Sequence, residues 1–232
     1  MSTVTHQMPA SAGRVATREG EALPGAISDE TGLPRQEPEG AGRNLLEQAF
    51  VRENMQRAWK RVKANKGTAG VDGLDIAQTA EHLRWVWPEL RQQLLSGSYQ
   101  PQPVRRVVIP KPDGSERELG IPTVTDRLIQ QALLQVLQPL IDPTFSEHSY
   151  GFRPGRRAHD AVLAAQRYTQ QGRHIVVDVD LSKFFDRVNH DILIDRLKKR
   201  VNNTGIIRLV RAYLNAGIMD GGVVMDRHEG PT

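Results

Sequence analysis

The sequence predicts an α+β fold, and three observations predict it. Apolar residues recur at helical spacing in several separate windows. The turn-forming KPDGS lies between two short strand-like runs. Helices and strands are interspersed without a regular βαβ period, which argues against a doubly wound parallel sheet.

Taken in order, residues 1–43 are rich in Gly, Pro, Ser, Thr and Glu and lack periodicity, which predicts a disordered arm. Leu45, Ala49, Met55, Ala58, Trp59 and Val62 then fall on one helical face, with a stop at Asn65-Lys66-Gly67. The stretch GTAGVDG, residues 67–73, is a loop by its glycines. A second helix is expected over roughly 76–95 on Leu83, Leu90 and Leu94, and Pro88 is where it would kink or break. PVRRVVIP and ERELGIP read as the two arms of a β-hairpin. A helix should run from Thr125 to Gln138, with Pro139 at its end. DPTFSEHSYGFRPGRR is a loop, and 158–171 is helical. HIVVDVDL, from His174, reads as a buried strand by its apolar run. Asn189 is a good N-cap for a helix over 190–201, with Asp191 in its first turn, and a last helix covers roughly 205–216.

Composition narrows the function class. A chain of 232 residues buries a sizeable core in one large or two small domains. With 38% apolar and 25% charged residues and a mean hydropathy of −0.48, it reads as an ordinary soluble chain. No apolar run approaches the roughly 18 residues of a membrane span, so no membrane contact is expected. The first residues carry no apolar signal region. The absence of cysteine excludes disulfides, thiolate zinc sites and cysteine nucleophiles, and fits a reducing cytoplasm. Net charge is +4, and the excess lies after residue 43, because residues 1–43 hold four basic and six acidic side chains. That suits a polyanionic partner and equally an ordinary basic protein.

The chemistry concentrates in HIVVDVDLSKFFDRVNHD, residues 174–191. On a strand, Asp178 and Asp180 lie on the same face. Carboxylates at a strand end can hold a hard cation, or simply meet water or arginine. A D-x-D also serves sugar-nucleotide transferases, though no parallel βαβ pattern accompanies it here.

The stretch resembles the first catalytic motif of group II intron-type reverse transcriptases: an apolar strand ending in Asp180, then Phe184-Phe185-Asp186 and Asn189-His190. Three other segments are similar to that family in the same order: 53–73, 105–133 and 149–162. Together the likeness covers residues 44–232. Retron-type and diversity-generating enzymes share the first motif. The resemblance implies right-hand polymerase fingers over 44–172 and the start of a palm over 173–232. It implies RNA-directed DNA polymerisation on an RNA template or intron RNA, with a DNA primer and deoxynucleoside triphosphates. Two magnesium ions about 3.5–4 Å apart would activate the primer 3′-hydroxyl and neutralise developing charge.

Residue by residue, the resemblance makes Asp180 the catalytic, metal-bridging carboxylate and the Leu181 backbone carbonyl a second ligand. Phe185 would lie under the sugar and reject a ribose 2′-hydroxyl, although it could equally be a core phenylalanine. Lys111 and Arg117 would take the triphosphate, with Arg105 nearby. A three- or five-residue loop centred on Gly114 would put Lys111 and Arg117 opposite each other, roughly 5 Å apart. Lys as a point charge and Arg as a fork both suit phosphate. Arg153, Arg156 and Arg157 precede a helix, where phosphate is attracted, and are expected on the template backbone. Asp178 is expected to face basic partners, and Asp186 and His190 to make local hydrogen bonds.

The family's second carboxylate motif, Tyr-x-Asp-Asp, follows none of Tyr99, Tyr150, Tyr168 and Tyr213. The expectation is therefore a truncated, N-terminal fragment that does not polymerise alone, with an open strand edge at 174–180. Retained binding of intron RNA, as a maturase-like fragment, is the alternative.

Overall fold

The computed structural model describes residues 45–112, 114–181, 184–220 and 222–225. The expected arm at 1–43 lies outside them. Seven α-helices and one sheet of four strands make up the described residues, an α+β architecture.

The first helical face is two helices: α1 (Leu45–Ala49) and α2 (Arg52–Ala64). Phe50 breaks the run because its side chain turns into the core, leaving Val51 extended at φ −72°, ψ 153°. α3 (Ile76–Ser96) starts on a reciprocal capping box between Asp75 and Gln78 and ends on Gly97, whose φ of 77° is the left-handed cap that glycine adopts freely. Pro88 does not break it. The Leu83, Trp87, Leu90 and Leu94 face packs on the core and offsets the roughly 3 kcal/mol that an interior proline costs. β1 (Val104–Pro110) and β2 (Glu116–Ile121) form the hairpin. α4 (Val124–Ile141) is capped by Thr123 and runs past Pro139 rather than ending there. The proline falls in its last turn, where Ile141 still packs on the core. α5 (Ala158–Gln170), α6 (His190–Lys198) and α7 (Thr204–Leu214) follow, α6 capped by Asn189 and α7 by Asn203.

Two short strands, β3 (Ile218–Asp220) and β4 (Val223–Met225), were not expected. The sheet order is β2-β1-β3-β4, with β1 and β3 parallel. Parallel pairing by so short a strand is locked by Arg106, whose guanidinium donates to Glu118 on β2 and to Asp220 on β3.

The core gathers Leu46, Phe50, Ala58, Leu94, Ile129 and Ala132 with Val201, Ile206 and Leu209. It therefore crosses residue 172, where the finger-like part was expected to end. Asn54, 1% exposed, ties α2 to α4: its Nδ2 donates to Ala132 O at 3.0 Å, and Gln135 Nε2 donates to its Oδ1 at 2.8 Å.

The expected buried strand over 174–181 does not form. These residues carry no ladder and are exposed, Ile175 at 90% and Val177 at 80%. An apolar run becomes a strand only where another strand accepts its backbone. β1 is paired on both sides, by β2 and β3, and the 174–181 backbone joins neither outer strand of the sheet, β2 or β4.

Candidate functional site

The hairpin sets the first group. Arg117 pairs with Ile109, and Lys111 N donates to Ser115 O at 2.7 Å. Position 111 thus faces position 115 across the hairpin, so Gly114 is not its centre. Lys111 and Arg117 were expected directly opposite each other, and they are not. They are diagonal neighbours on one face, roughly 7–8 Å apart by strand geometry, still within reach of one polyphosphate. Both are exposed, and neither forms an ion pair among the described residues. Arg105 shares their face by alternation. Its Nη2 lies 3.5 Å from Thr68 Oγ1 as donor, and its buried Nε has no partner. The opposite face holds Arg106, locked by two carboxylates.

Sequence reasoning missed Arg127, which reads as one more polar position on a helix. Its Nη2 donates to Thr68 O at 2.6 Å, and its buried Nε is also unpaired. Desolvation pushes its pKa down, against a weaker pull from Asp72. Two guanidiniums thus converge on Thr68, brought there because Gly70 lies flat on the Thr123 backbone, where a Cβ would come within 2.6 Å. That contact joins residues far apart in the chain, so no local spacing announces it.

The second group is the 174–186 segment. Asp180 is exposed, and its Oδ1 accepts from Leu181 N–H at 2.9 Å. Asp178 is exposed and forms no ion pair among the described residues, contrary to the expected basic partner. Phe185 is 82% exposed and meets Phe184 edge-on at 5.3 Å, so it is not a core phenylalanine. The Asp186 side chain lies outside the described residues. His190 is buried. No three acidic, histidine or cysteine side chains converge to hold a metal among the described residues. Asp180 fits magnesium chemically, as an unpaired hard-oxygen donor, and supplies one ligand of such a site.

The third group is the loop before α5, and here one residue is corrected. Arg153 is 8% exposed, and all five of its donors are used inside the chain. Nε and Nη2 reach the Asp142 carboxylate at 3.0 and 3.1 Å, Nη2 also donates to Asp142 O, and Nη1 donates to Ser146 O and Ser149 O. Nothing is left for a template phosphate. The bidentate bond holds the Asp142 carboxyl below its ordinary pKa. Arg156 lies over the Tyr150 ring and donates to Glu147 O, while Arg157 is exposed.

A cleft of about 670 Å³ lies elsewhere, lined by Asp72, His82, Glu89, Tyr99 and Thr123 among others. Its acidic rim does not suit phosphate.

Residues 109–229, more than half of the chain, match the reverse transcriptase (RNA-dependent DNA polymerase) family. The chain belongs to that family. It is 38% identical over 167 residues to protein YkfC of Escherichia coli K12, covering 70% of this chain and 44% of that one. It is 33% identical over 167 residues to the group II intron-encoded protein LtrA of Lactococcus lactis, covering 70% and 27%. Nuclear intron maturase 1 of Arabidopsis thaliana matches at 32% over 93 residues, 40% and 13%. The chain thus spans less than half the length of these relatives. Among solved structures, a chain of a partial Cas6-RT-Cas1–Cas2 complex superposes with a TM-score of 0.51 at 23% identity, covering 78% of this chain and 30% of that one. That likeness shows a shared reverse transcriptase fold. No described helix is long and apolar enough to cross a membrane.

Proposed function

We propose that this chain supplies the fingers and the first palm elements, split near residue 172, of an RNA-directed DNA polymerase of a group II intron-type element. In that reaction a primer 3′-hydroxyl attacks the α-phosphate of a deoxynucleoside triphosphate. One P–O bond forms, one breaks, and pyrophosphate leaves. Magnesium, when bound, neutralises charge on the transferring phosphate, and Asp180 with the Leu181 carbonyl would contribute to holding it. Lys111 and Arg117 hold the triphosphate, with Arg105 backed by Arg127. Phe185 presents its exposed edge to the sugar. Arg156 and Arg157 approach the template, and Arg153 supports their loop.

The observation that carries this reading is the asymmetry of the hairpin. One face holds Lys111 and Arg117 without carboxylate partners among the described residues, whereas the other holds Arg106 between two carboxylates. A second reading has its own support. Because Asp180 is joined by no two further metal-binding side chains among the described residues, the chain by itself would bind RNA without polymerising.

Two measurements test this. Deoxynucleoside triphosphate binding, followed by calorimetry, should weaken about tenfold in Lys111→Ala and again in Arg117→Ala, a loss of one charged contact each. Binding by either variant as tight as that of the parent chain would remove the triphosphate site. Primer extension on RNA with magnesium should fail for this chain and for Asp180→Asn alike. Extension by the parent that disappears in Asp180→Asn would mean that the remaining ligands come from outside the described residues.

A further inference from the structure

The cleft of about 670 Å³ runs against the charge of the chain around it. Residues 44–232 hold 27 basic side chains against 21 acidic. No Lys or Arg lines the cleft, whereas Asp72 and Glu89 do, and His82 is the one lining group able to turn positive. Asp72 Oδ1 accepts from Leu74 N–H at 3.2 Å, and Glu89 Oε1 accepts from Gln93 Nε2 at 3.2 Å. These bonds orient both carboxylates without neutralising them, and neither forms an ion pair among the described residues. Arg127 lies within electrostatic reach of Asp72, but it donates to Thr68 O and does not line the cleft.

The walls suit a polypeptide better than a free cation. α3 supplies one wall through His82, Val86, Glu89 and Gln93, positions that a helix places on one face. Trp85 follows His82 by three and precedes Glu89 by four, so it stands at the solvent edge of that face, 84% exposed. Trp59 and Trp87 pack on the core, whereas Trp85 does not. Tryptophan is among the side chains that most often anchor protein interfaces. The opposite wall is the stretch 98–102. It is fixed by Ser98 N–H and Tyr99 N–H, which donate to Gln93 O at 3.0 and 3.2 Å, and by Gln102 N–H, which donates to the buried Asp126 carboxylate at 3.4 Å. It exposes the side chains of Gln100 and Gln102. Each amide offers an acceptor and two donors, the complement of a peptide group. Leu74, Val86 and Leu90, all half-buried, add an apolar strip.

We propose that this cleft docks a partner polypeptide through an arginine beside an apolar residue. The planar guanidinium stacks on the Trp85 ring and forks onto Glu89, and Asp72 adds a second negative charge. The apolar neighbour covers Leu74, Val86 and Leu90, while Gln100 and Gln102 bond the peptide backbone. The carboxylates that attract arginine repel phosphate, so this surface is separate from the basic hairpin face. The inference goes beyond nucleotide transfer and does not rest on it, since it gives the chain a protein partner.

The test is a titration of the full chain with the blocked peptide acetyl-Gly-Arg-Leu-Gly-amide, followed by the amide resonances of Gln100 and Gln102. Saturable shifts that weaken with added salt are expected. Trp85→Ala and Glu89→Gln should each weaken binding roughly fivefold or more, with the melting temperature unchanged because both positions are exposed. The same peptide with citrulline in place of arginine, equal in shape and uncharged, should bind correspondingly less well. Oligouridylate should leave these resonances where they are. The absence of a saturable shift overturns the proposal. So do shifts that survive both variants, that the citrulline peptide or oligouridylate produces equally, or that arginine amide alone produces with the affinity of the peptide.

Discussion

Asp126 is 1% exposed, and its carboxylate accepts from Tyr99 Oη at 2.7 Å, Tyr213 Oη at 3.0 Å and Thr123 Oγ1 at 2.7 Å. One side chain thereby joins the end of α3, the start of α4 and α7. Asp126→Ala leaves three hydroxyls without an acceptor at roughly 1–3 kcal/mol each. It should cost about 3 kcal/mol or more and lower the melting temperature by about 6–12 °C, read by circular dichroism. Phe152 moves the other way. Phe152→Gly relieves a left-handed residue worth roughly 1–2 kcal/mol and loses part of that to a freer unfolded chain. A small rise in melting temperature is expected. These roles were invisible in one dimension. A carboxylate within a helical run reads as solvent-facing unless its partners are known to converge on it. Arg153 was legible as basic. Its saturation by Asp142 and two loop carbonyls was not, because a charge in sequence carries no record of its counter-charge.

Helix α6 shows what local signals carry. Asn189 caps it as expected, its Oδ1 accepting from Ile192 N–H at 3.0 Å, because a cap is a contact over three residues. Strands obey different rules. β3 and β4 are three residues each, too short to show a period, and they exist because the edge of β1 accepts β3 and β3 in turn accepts β4. HIVVDVDL shows a strand-like apolar run but pairs with no strand of the sheet. Arg106 is the side chain on which the added strands depend. Arg106→Ala should therefore speed amide hydrogen exchange across 218–225, while the amides of α4 stay protected. Unchanged protection in β3 would show that the backbone ladder suffices without the clamp.

At the scale of the molecule, titration brackets stability from both sides. Arg153 beside Asp142 and Arg211 beside Asp191, at 2.5 Å, hold both carboxyls below their ordinary value of 3.8. The stability they add is complete above that value and is lost as pH falls through the lowered pKa values. Burial, then the nearby Asp126 carboxylate, raises Tyr99 and Tyr213 above their ordinary 10.0. Their contribution is complete below pH 10.0 and is lost as pH rises beyond it. Urea midpoints against pH should show a plateau with falls on both flanks, and Asp126→Ala should soften the alkaline one. The exposed apolar run at 175–179 adds a colloidal liability. Val177→Lys, at a position packed against nothing, should cut light scattering on concentration without moving the melting temperature.

The sequence alone determined what depends on neighbours in the chain: helix periods, caps, the hairpin turn and the family motifs around Asp180. Tertiary structure decided whatever needs a distant partner. It chose which apolar run became a strand, since a strand exists only where a partner backbone pairs with it. It shifted the hairpin register so that Lys111 and Arg117 lie on a diagonal. It spent Arg153 on its own loop and brought Arg127 to Thr68 beside Arg105. Charge type and spacing are local properties, whereas pairing and burial belong to the whole packed chain.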